Sequence, residues 1–292
     1  MALVTAQGIA SLSVPLLRRS LVLPNTVSRV TGGEFAGDNG DTISVRVRVP
    51  RSANTQATPG ADVSGDFSSI NEVAVEISLA HLFDGVNLTD EELSLELVDF
   101  AMQVTEPQVA AVATGAEDEL AAAMNDVTAD ETDLTASNLE EYILDARQAL
   151  SENDVPSGDR FCAVSPAAAT LVLGLENIEQ NIPASGDASA LRDAVIGRYR
   201  GFTFVESNGL TGGDLGQSLV FYHRSGFAFA NRAPVAPRGA NESAALSDNG
   251  IGLRQIFQYA PGNLRDQSVI STFAGATEVD SDRIYKVEDS TA

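Results

Sequence analysis

Asp41-Thr42-Ile43-Ser44-Val45-Arg46-Val47-Arg48-Val49-Pro50 sets Ile43, Val45, Val47 and Val49 on one side and Ser44, Arg46 and Arg48 on the other. A period of two is the pattern of a strand with one apolar face. The same alternation returns over Glu72 to Leu82, where Val73, Val75, Ile77 and Leu79 face one way and Glu72, Ala74, Glu76 and Ser78 the other. Two such strands can pair, with arginines set opposite glutamates across the ladder. The stretch between them, Arg51 to Asn71, is rich in Ser, Gly, Asn and Asp, and a connection of that length inside a compact domain is functional or disordered. The simplest account is a two-stranded arm with a polar tip that stands off the body.

Downstream, Thr89 followed by Asp90, Glu91 and Glu92 reads as a capping box, in which hydroxyl and carboxylate satisfy each other's amides at a helix start. Leu93, Leu97, Phe100, Ala101 and Val104 follow at helical spacing. The stripe resumes after Pro107 at Val109, Val112, Ala116, Leu120 and Met124, which predicts a long helix kinked or broken near the proline. Asp126 to Asp133 reads as a solvated acidic connection, since it lacks the alternating ligands and central glycine of a calcium loop. A second capping box is expected at Ser137 with Glu140, with Leu139, Tyr142, Ile143, Ala146 and Leu150 as the apolar face; Pro156 and Gly158 end that unit. A strand at Arg160 to Val164 runs into Ser165-Pro166 and a helix from Ala167 to about Leu173. Leu191 to Ile196 is expected as helix. Gly201 to Glu206, Ser218 to Tyr222, Phe227 to Asn231, Leu253 to Tyr259, Val269 to Ala274 and Arg283 to Val287 are expected as strands, and Pro234 to Gly250 as a mobile loop. The class is α+β.

Composition limits the chemistry. The 292 residues carry 41 acidic and 18 basic side chains, a net charge of −23. Lys286 is the sole lysine and no basic run resembles a phosphate-binding stripe, so specific nucleic-acid binding is disfavoured. Excess acid with almost no lysine fits a salt-loving source, where a carboxylate-rich surface stays soluble; a high-GC genome also replaces lysine by arginine. One cysteine and two histidines leave little for a disulfide framework or a zinc site. Met1 to Leu17 has its basic residues, Arg18 and Arg19, after the apolar part and is too polar to span a bilayer, so a soluble, intracellularly made chain with a loose N-terminal arm is expected.

No catalytic constellation stands out. His81 and His223 read as structural, because a base needs a nucleophile and an orienting group beside it. Cys162 lies in Phe161-Cys162-Ala163-Val164 and reads as a core thiol. Gly212-Gly213-Asp214-Leu215-Gly216 has no following lysine and reads as a loop, not a phosphate cradle. Asn87-Leu88-Thr89 and Asn241-Glu242-Ser243 match a glycosylation acceptor, a pattern too common to weigh. No cofactor or metal is implied.

At this point the chain resembles a family, the major capsid proteins of tailed viruses with the Hong Kong 97-type fold. Gly40-Asp41-Thr42-Ile43-Ser44-Val45-Arg46 is similar to the start of the family's extended loop, and Leu88-Thr89-Asp90-Glu91-Glu92 through Asp99-Phe100 to the start of its spine helix. Ala146-Arg147 to Leu150, Val155-Pro156 and Arg160 to Pro166 resemble the helix, turn and strand of the axial domain. Ile196-Gly197-Arg198 with Gly201-Phe202, and His223-Arg224 with Phe227 to Ala230, also fit. The resemblance implies an N-terminal arm at 1–40, an extended loop at 41–82, the spine helix and peripheral domain at 83–136, an axial domain at 137–250, and C-terminal strands at 251–292 completing the peripheral domain. It implies a non-enzymatic subunit that assembles as pentamers and hexamers, in the host cytoplasm, into a virion head around double-stranded DNA. Partners would be its own copies, a scaffolding protein or an N-terminal portion already removed, portal and decoration proteins, and DNA only by non-specific proximity, with no membrane. Residues implied to meet neighbours are Arg18, Arg19, Arg29, Arg46, Arg48, Arg51, Phe67, Glu72 and Glu76. Some members crosslink neighbours from a lysine in the extended loop, and 41–82 contains none. The runner-up is an encapsulin-type nanocompartment shell of the same architecture; the remote alternative is an α+β hydrolase using His223.

Overall fold

The computed structural model describes residues 13, 21–30, 42–48, 53–56, 58–60, 62–67, 72–92, 100–175, 195–239, 242–248 and 251–290. Its elements in chain order are β1 (Ser28–Val30), β2 (Thr42–Arg48), β3 (Glu72–Ser78), β4 (Ala80–Thr89), a π-helical turn (Ala101–Thr105), α1 (Glu106–Asn125), α2 (Leu139–Glu152), β5 (Arg160–Val164), α3 (Pro166–Leu173), β6 (Val195–Tyr199), β7 (Phe202–Glu206), β8 (Ser218–His223), β9 (Phe227–Arg232), β10 (Glu242–Asp248), β11 (Ile251–Ala260), β12 (Arg265–Glu278) and β13 (Ile284–Glu288).

The strands form three sheets: six strands in the order β1-β9-β12-β11-β10 with β4 also on β12, five in the order β13-β8-β5-β7-β6, and the isolated pair β2-β3. In β12, Phe273 and Ala274 pair with His81 and Ala80 of β4 and also with Arg232 and Asn231 of β9, so β4 and β9 take opposite edges. The sheets interleave along the chain. Strands β9 and β10 belong to the six-stranded sheet while β13 closes the five-stranded one, so a division at 250/251 cuts across both.

Helix α1 joins the two layers. Its expected stripe, Val109, Val112, Ala116, Leu120 and Met124, is buried against Ile270 and Ala274 of β12, Leu253 of β11 and Phe229 of β9, and the same core takes Ala163, Val205 and Val220 from the five-stranded sheet. The other face of that sheet, with Cys162, Val164, Phe204 and Phe221, is covered by Ile143, Ala146 and Leu150 of α2 and Ala168 and Val172 of α3. A sheet buried on both faces explains why β8 reads as an unbroken apolar run. Gln108 locks α1 to the six-stranded sheet: its amide donates to the carbonyls of Ser268 (3.0 Å) and Asp84 (3.3 Å) and accepts from the Ser268 hydroxyl at 2.9 Å.

The first capping box is present in both directions, with the Thr89 amide donating to Glu92 Oε2 (2.9 Å) and the Glu92 amide to Thr89 Oγ1 (3.3 Å). These bonds hold the Glu92 carboxyl below its usual range. Residues 93–99, and with them Leu93 and Leu97, lie outside the described residues. The expected kink takes the form of the π-helical turn, which delivers Pro107 into the first turn of α1, where a missing N–H costs nothing. Ser165 caps α3 as expected, its hydroxyl accepting from the Ala168 amide at 3.3 Å.

Several expectations are corrected. The second capping box is absent: the N-cap of α2 is Asn138, without a side-chain cap bond, while Glu140 accepts from the Tyr199 hydroxyl (2.8 Å) and pairs with Arg200 (2.5 Å). Cross-chain partners outcompete the local one. Val195 and Ile196 are strand, because β7 pairs with this segment: Val195 is opposite Val205, and Ile196 lies in a bulge before Gly197; Leu191 to Ala194 lie outside the described residues. Glu242 to Asp248 of the expected mobile loop is strand β10, in register with β11 from Glu242↔Phe257 to Asp248↔Ile251. The alternation at Glu72 to Leu82 divides at Leu79, and β4 continues to Thr89 because β12 supplies a partner throughout. Part of the expected loose arm is seated, with Leu21, Leu23 and Val27 in the core and β1 parallel to β9.

The acidic connection is also not simply solvated. Lys286, 2% exposed, donates through Nζ to the carbonyls of Asn125 (2.7 Å) and Val127 (2.9 Å) and pairs with Glu288 at 2.7 Å. It thereby caps the C-terminus of α1, where a cation meets the negative end of the helix dipole. Asp130 lies along β13, its carboxylate accepting from the Lys286 amide at 2.8 Å, and the Glu131 carbonyl accepts from Glu288.

Two outcomes follow from these contacts. Lys286→Met leaves two carbonyls and the Glu288 carboxylate unpaired and should cost about 3 kcal/mol, read as a lowered denaturation midpoint of the unassembled subunit. At Gly275 a Cβ would stand 2.0 Å from the Ser78 carbonyl oxygen. Gly275→Ala should therefore cost about 1–3 kcal/mol of stability, read as a lowered midpoint, and expose the β2-β3 pair to protease; an unchanged midpoint and cleavage pattern would mean that the crossing is not tight.

Candidate assembly surface

The crossing at Gly275 is where the chain leaves the body. Strand β3 passes over β12 there, at Ser78, and two residues later, from Ala80, the chain enters the six-stranded sheet. Strands β2 and β3 pair from Thr42↔Ser78 to Arg48↔Glu72. At the base, Ile43 and Ile77 face each other and are 5% and 0% exposed, seated on Val30, Ala228 and Ala230. One step outward, Val45 and Val75 are partly buried, Val45 against that same cluster, and Val47 and Val73 pair next in register. On the other face Ser44 meets Glu76, Arg46 meets Ala74 and Arg48 meets Glu72, so the expected ladder of arginine opposite glutamate reduces to one direct pairing.

The tip is held by short local bonds. Asn54 donates to the Asp66 carbonyl (3.0 Å) and Asp62 accepts from the Ser64 amide (2.9 Å), which lowers the Asp62 carboxyl. Phe67 beside them is 77% exposed. A second open feature is β4, an edge strand in which Phe83 is 69% exposed and the His81 ring lies 4.7 Å from that of Phe273. Its ten residues contain no Pro, Lys or Arg, the usual guards of a free edge, and among the described residues no strand pairs with its outer side.

The residues implied to meet neighbours do not form one cluster. Arg46, Arg48, Glu72 and the exposed Glu76 share the polar face of the ribbon, and Phe67 lies at its tip. Arg29 is turned to its own chain, donating to the Pro24 carbonyl at 3.0 Å and to the Asn25 side chain. Arg18, Arg19 and Arg51 lie outside the described residues. Phe83 escaped the sequence reading, although a large apolar residue at a strand position with no partner in the pattern was the available signal.

The groups weighed for chemistry have structural partners. His223 Nδ1 contacts Ser225 Oγ at 2.8 Å and accepts from the Ser225 amide at 3.3 Å, while Arg283 donates to the same hydroxyl. This closes the β8–β9 turn, and burial pushes the imidazole below its usual range. Cys162 is buried and its thiol is pushed up accordingly. The glycine-rich loop cradles a carboxylate of its own chain: Asp289 accepts from the amides of Leu215 (2.5 Å) and Gln217 (2.8 Å). At Gly213, with φ +34°, a Cβ would lie 2.3 Å from the Asp289 carbonyl oxygen.

Comparison with known proteins agrees with this geometry. A family model described as phage capsid protein matches residues 96–239, and no curated protein matches the chain. A solved structure from Mycobacterium phage Che8 is similar with a TM-score of 0.58 and 20% identity, over 91% of this chain and 90% of that one. The capsid of Ralstonia phage GP4 gives 0.59 and 11% over 90% and 86%. A virus-like particle from Pyrococcus furiosus gives 0.54 and 12% over 96% and 98%. Likeness at such identities shows the fold, a mixed α+β body with a protruding ribbon and a long helix. Together with the family match over residues 96–239, this likeness supports a phage major capsid protein of the Hong Kong 97-type fold.

Proposed function

We propose that copies of this chain associate as pentamers and hexamers into an icosahedral head that encloses viral double-stranded DNA. The observation that carries the reading is the ribbon: among the described residues β2 and β3 pair with each other alone, seated on the body at Ile43 and Ile77. A two-stranded ribbon alone is marginal in water, so its outer part belongs against another copy. Phe67 and the polar face carrying Arg46, Arg48, Glu72 and Glu76 are the contacts assigned to neighbours, with Arg18, Arg19 and Arg51 flanking them in sequence. Arg29 acts indirectly, by fixing the turn before β1. The ribbon is the extended loop, residues before 41 the N-terminal arm, α1 the spine helix, the six-stranded sheet the peripheral domain and the five-stranded sheet the axial domain.

The subunit's work in this reading is mechanical, not enzymatic. Assembly takes place in the host cytoplasm with scaffolding and portal proteins, decoration proteins add to the outer face, and DNA is held without specific contacts. An encapsulin-type nanocompartment shell is the second reading of the same fold; the match to the phage capsid family favours the viral head.

Purified chain, with a scaffolding partner where needed, should give closed particles or pentamers and hexamers by light scattering and negative-stain microscopy. A monodisperse monomer at high concentration in molar salt would contradict the reading. The shell should also depend on salt. Each copy carries −23, and the Debye length grows from about 3 Å at 1 M to about 30 Å at 0.01 M, so repulsion between copies rises steeply on desalting. Stepwise dialysis without divalent cations should swell or dissociate particles, and Mg²⁺ should partly protect them by bridging carboxylates. Particles unchanged down to a few millimolar would show that carboxylate repulsion does not control the shell, and would favour high-GC composition over a saline source as the origin of the acid excess.

A further inference from the structure

Glu117 is a carboxyl group that the fold uses in an unusual place. It projects from the middle of α1 toward the N-terminal segment, where its oxygens accept from the amide of Val22 and from the amide of Leu23 at 3.1 and 3.2 Å. These are the free amides at the start of the short 3₁₀ turn Leu23–Asn25, which has no side-chain cap of its own. One carboxyl from the spine helix therefore caps the turn that seats Leu21 and Leu23 in the core and leads into β1. Among the described residues no cation pairs with it.

The charged and titratable groups around it do not compensate. Asp118 follows it on α1 and raises its pKa. On the facing strand the Tyr222 hydroxyl is bonded to Thr26 Oγ1. Arg224 spends its guanidinium on the Asn25 carbonyl at 3.0 Å, and Arg29 on the Pro24 carbonyl at 3.0 Å. We propose that Glu117 is a proton-operated latch on the N-terminal segment: as the neutral acid it holds Leu21–Val30 on the spine helix, and on ionising it loosens that hold.

The sign follows from burial. Withdrawal from water raises the carboxyl to about 7, against the opposing pull of the two amides, whereas a released segment returns it to the ordinary carboxylate range. Between those values the seated state binds more protons, so seating weakens as pH rises through that interval and is strongest below it. For a shell, which rests on the capsid reading, this makes the seating of Leu21–Val30 sensitive to pH near neutrality.

The test uses the soluble, unassembled chain, so a chain that never forms particles would sink the capsid reading and leave this one measurable. Amide exchange at Val22 and Leu23, corrected for intrinsic rates, should lose at least about tenfold in protection from pH 5 to pH 8. In Glu117→Gln, which keeps an acceptor oxygen but cannot ionise, protection should be flat over the same range. Constant protection in the unmodified chain, or an equal slope in the variant, overturns the proposal. Should the variant not fold, the carbon-13 shift of the Glu117 carboxyl in the unmodified chain decides: a midpoint near 7 supports the latch, and one in the ordinary carboxylate range overturns it.

Discussion

Strand β12 is the element to which the position of every other part of the larger layer is referred. Its fourteen residues pair with β4 along one edge and with β11 and then β9 along the other, carry α1 on one face, and pass under the ribbon at Gly275. A register slip of one residue would turn Ile270 and Ala274 out of the core and would also move the ribbon, the spine helix and the β10–β11 hairpin together. The direction in which the ribbon leaves the body is therefore set by the register of β4 on β12 together with the seat of Ile43 and Ile77 and the crossing at Gly275. A subunit built to reach its neighbours needs this, because the reach must be fixed before a neighbour arrives.

The charge distribution follows from the same economy. The few cations are used to terminate helices and turns. Lys286 caps α1, and Arg160, buried, donates to the carbonyls of Val155 (2.6 Å) and Pro156 (2.9 Å) after α2. Both spend hydrogen bonds on backbone carbonyls, Lys286 pairing with Glu288 as well, and with 18 basic against 41 acidic side chains the acid excess is left unneutralised. Assembly then sets apolar burial on the ribbon against a repulsion that added salt screens.

Local patterns were legible in the sequence where the interaction that fixes the element is local. The alternation at Ile43, Val45, Val73, Val75 and Ile77, the stripe from Val109 to Met124, and the Thr89 and Ser165 caps all rest on periodicity or on a bond within a few residues. What was not legible depended on partners far along the chain. Glu242 to Asp248 has the composition of a loop and becomes a strand only because β11 lies beside it, and Glu140 prefers Tyr199 and Arg200 to its own helix start. Glu117 looks like any polar position on the outer side of a helix until Val22 is brought to it. Of the assembly surface, the ribbon and Phe67 could be read ahead, since a long polar tip between two alternating strands can bury little against its own body. Phe83 and the crossing at Gly275 required the sheet.

The central claim is that the outer part of the ribbon is completed by another copy. Amide exchange over Thr42–Arg48 and Glu72–Ser78, compared between unassembled subunit and assembled particle under identical salt and pH, tests it most directly. The account predicts that protection at the outer end, around Val47 and Val73, rises strongly on assembly while the base at Ile43 and Ile77 changes little. Equal exchange at the outer end in the two states would contradict it.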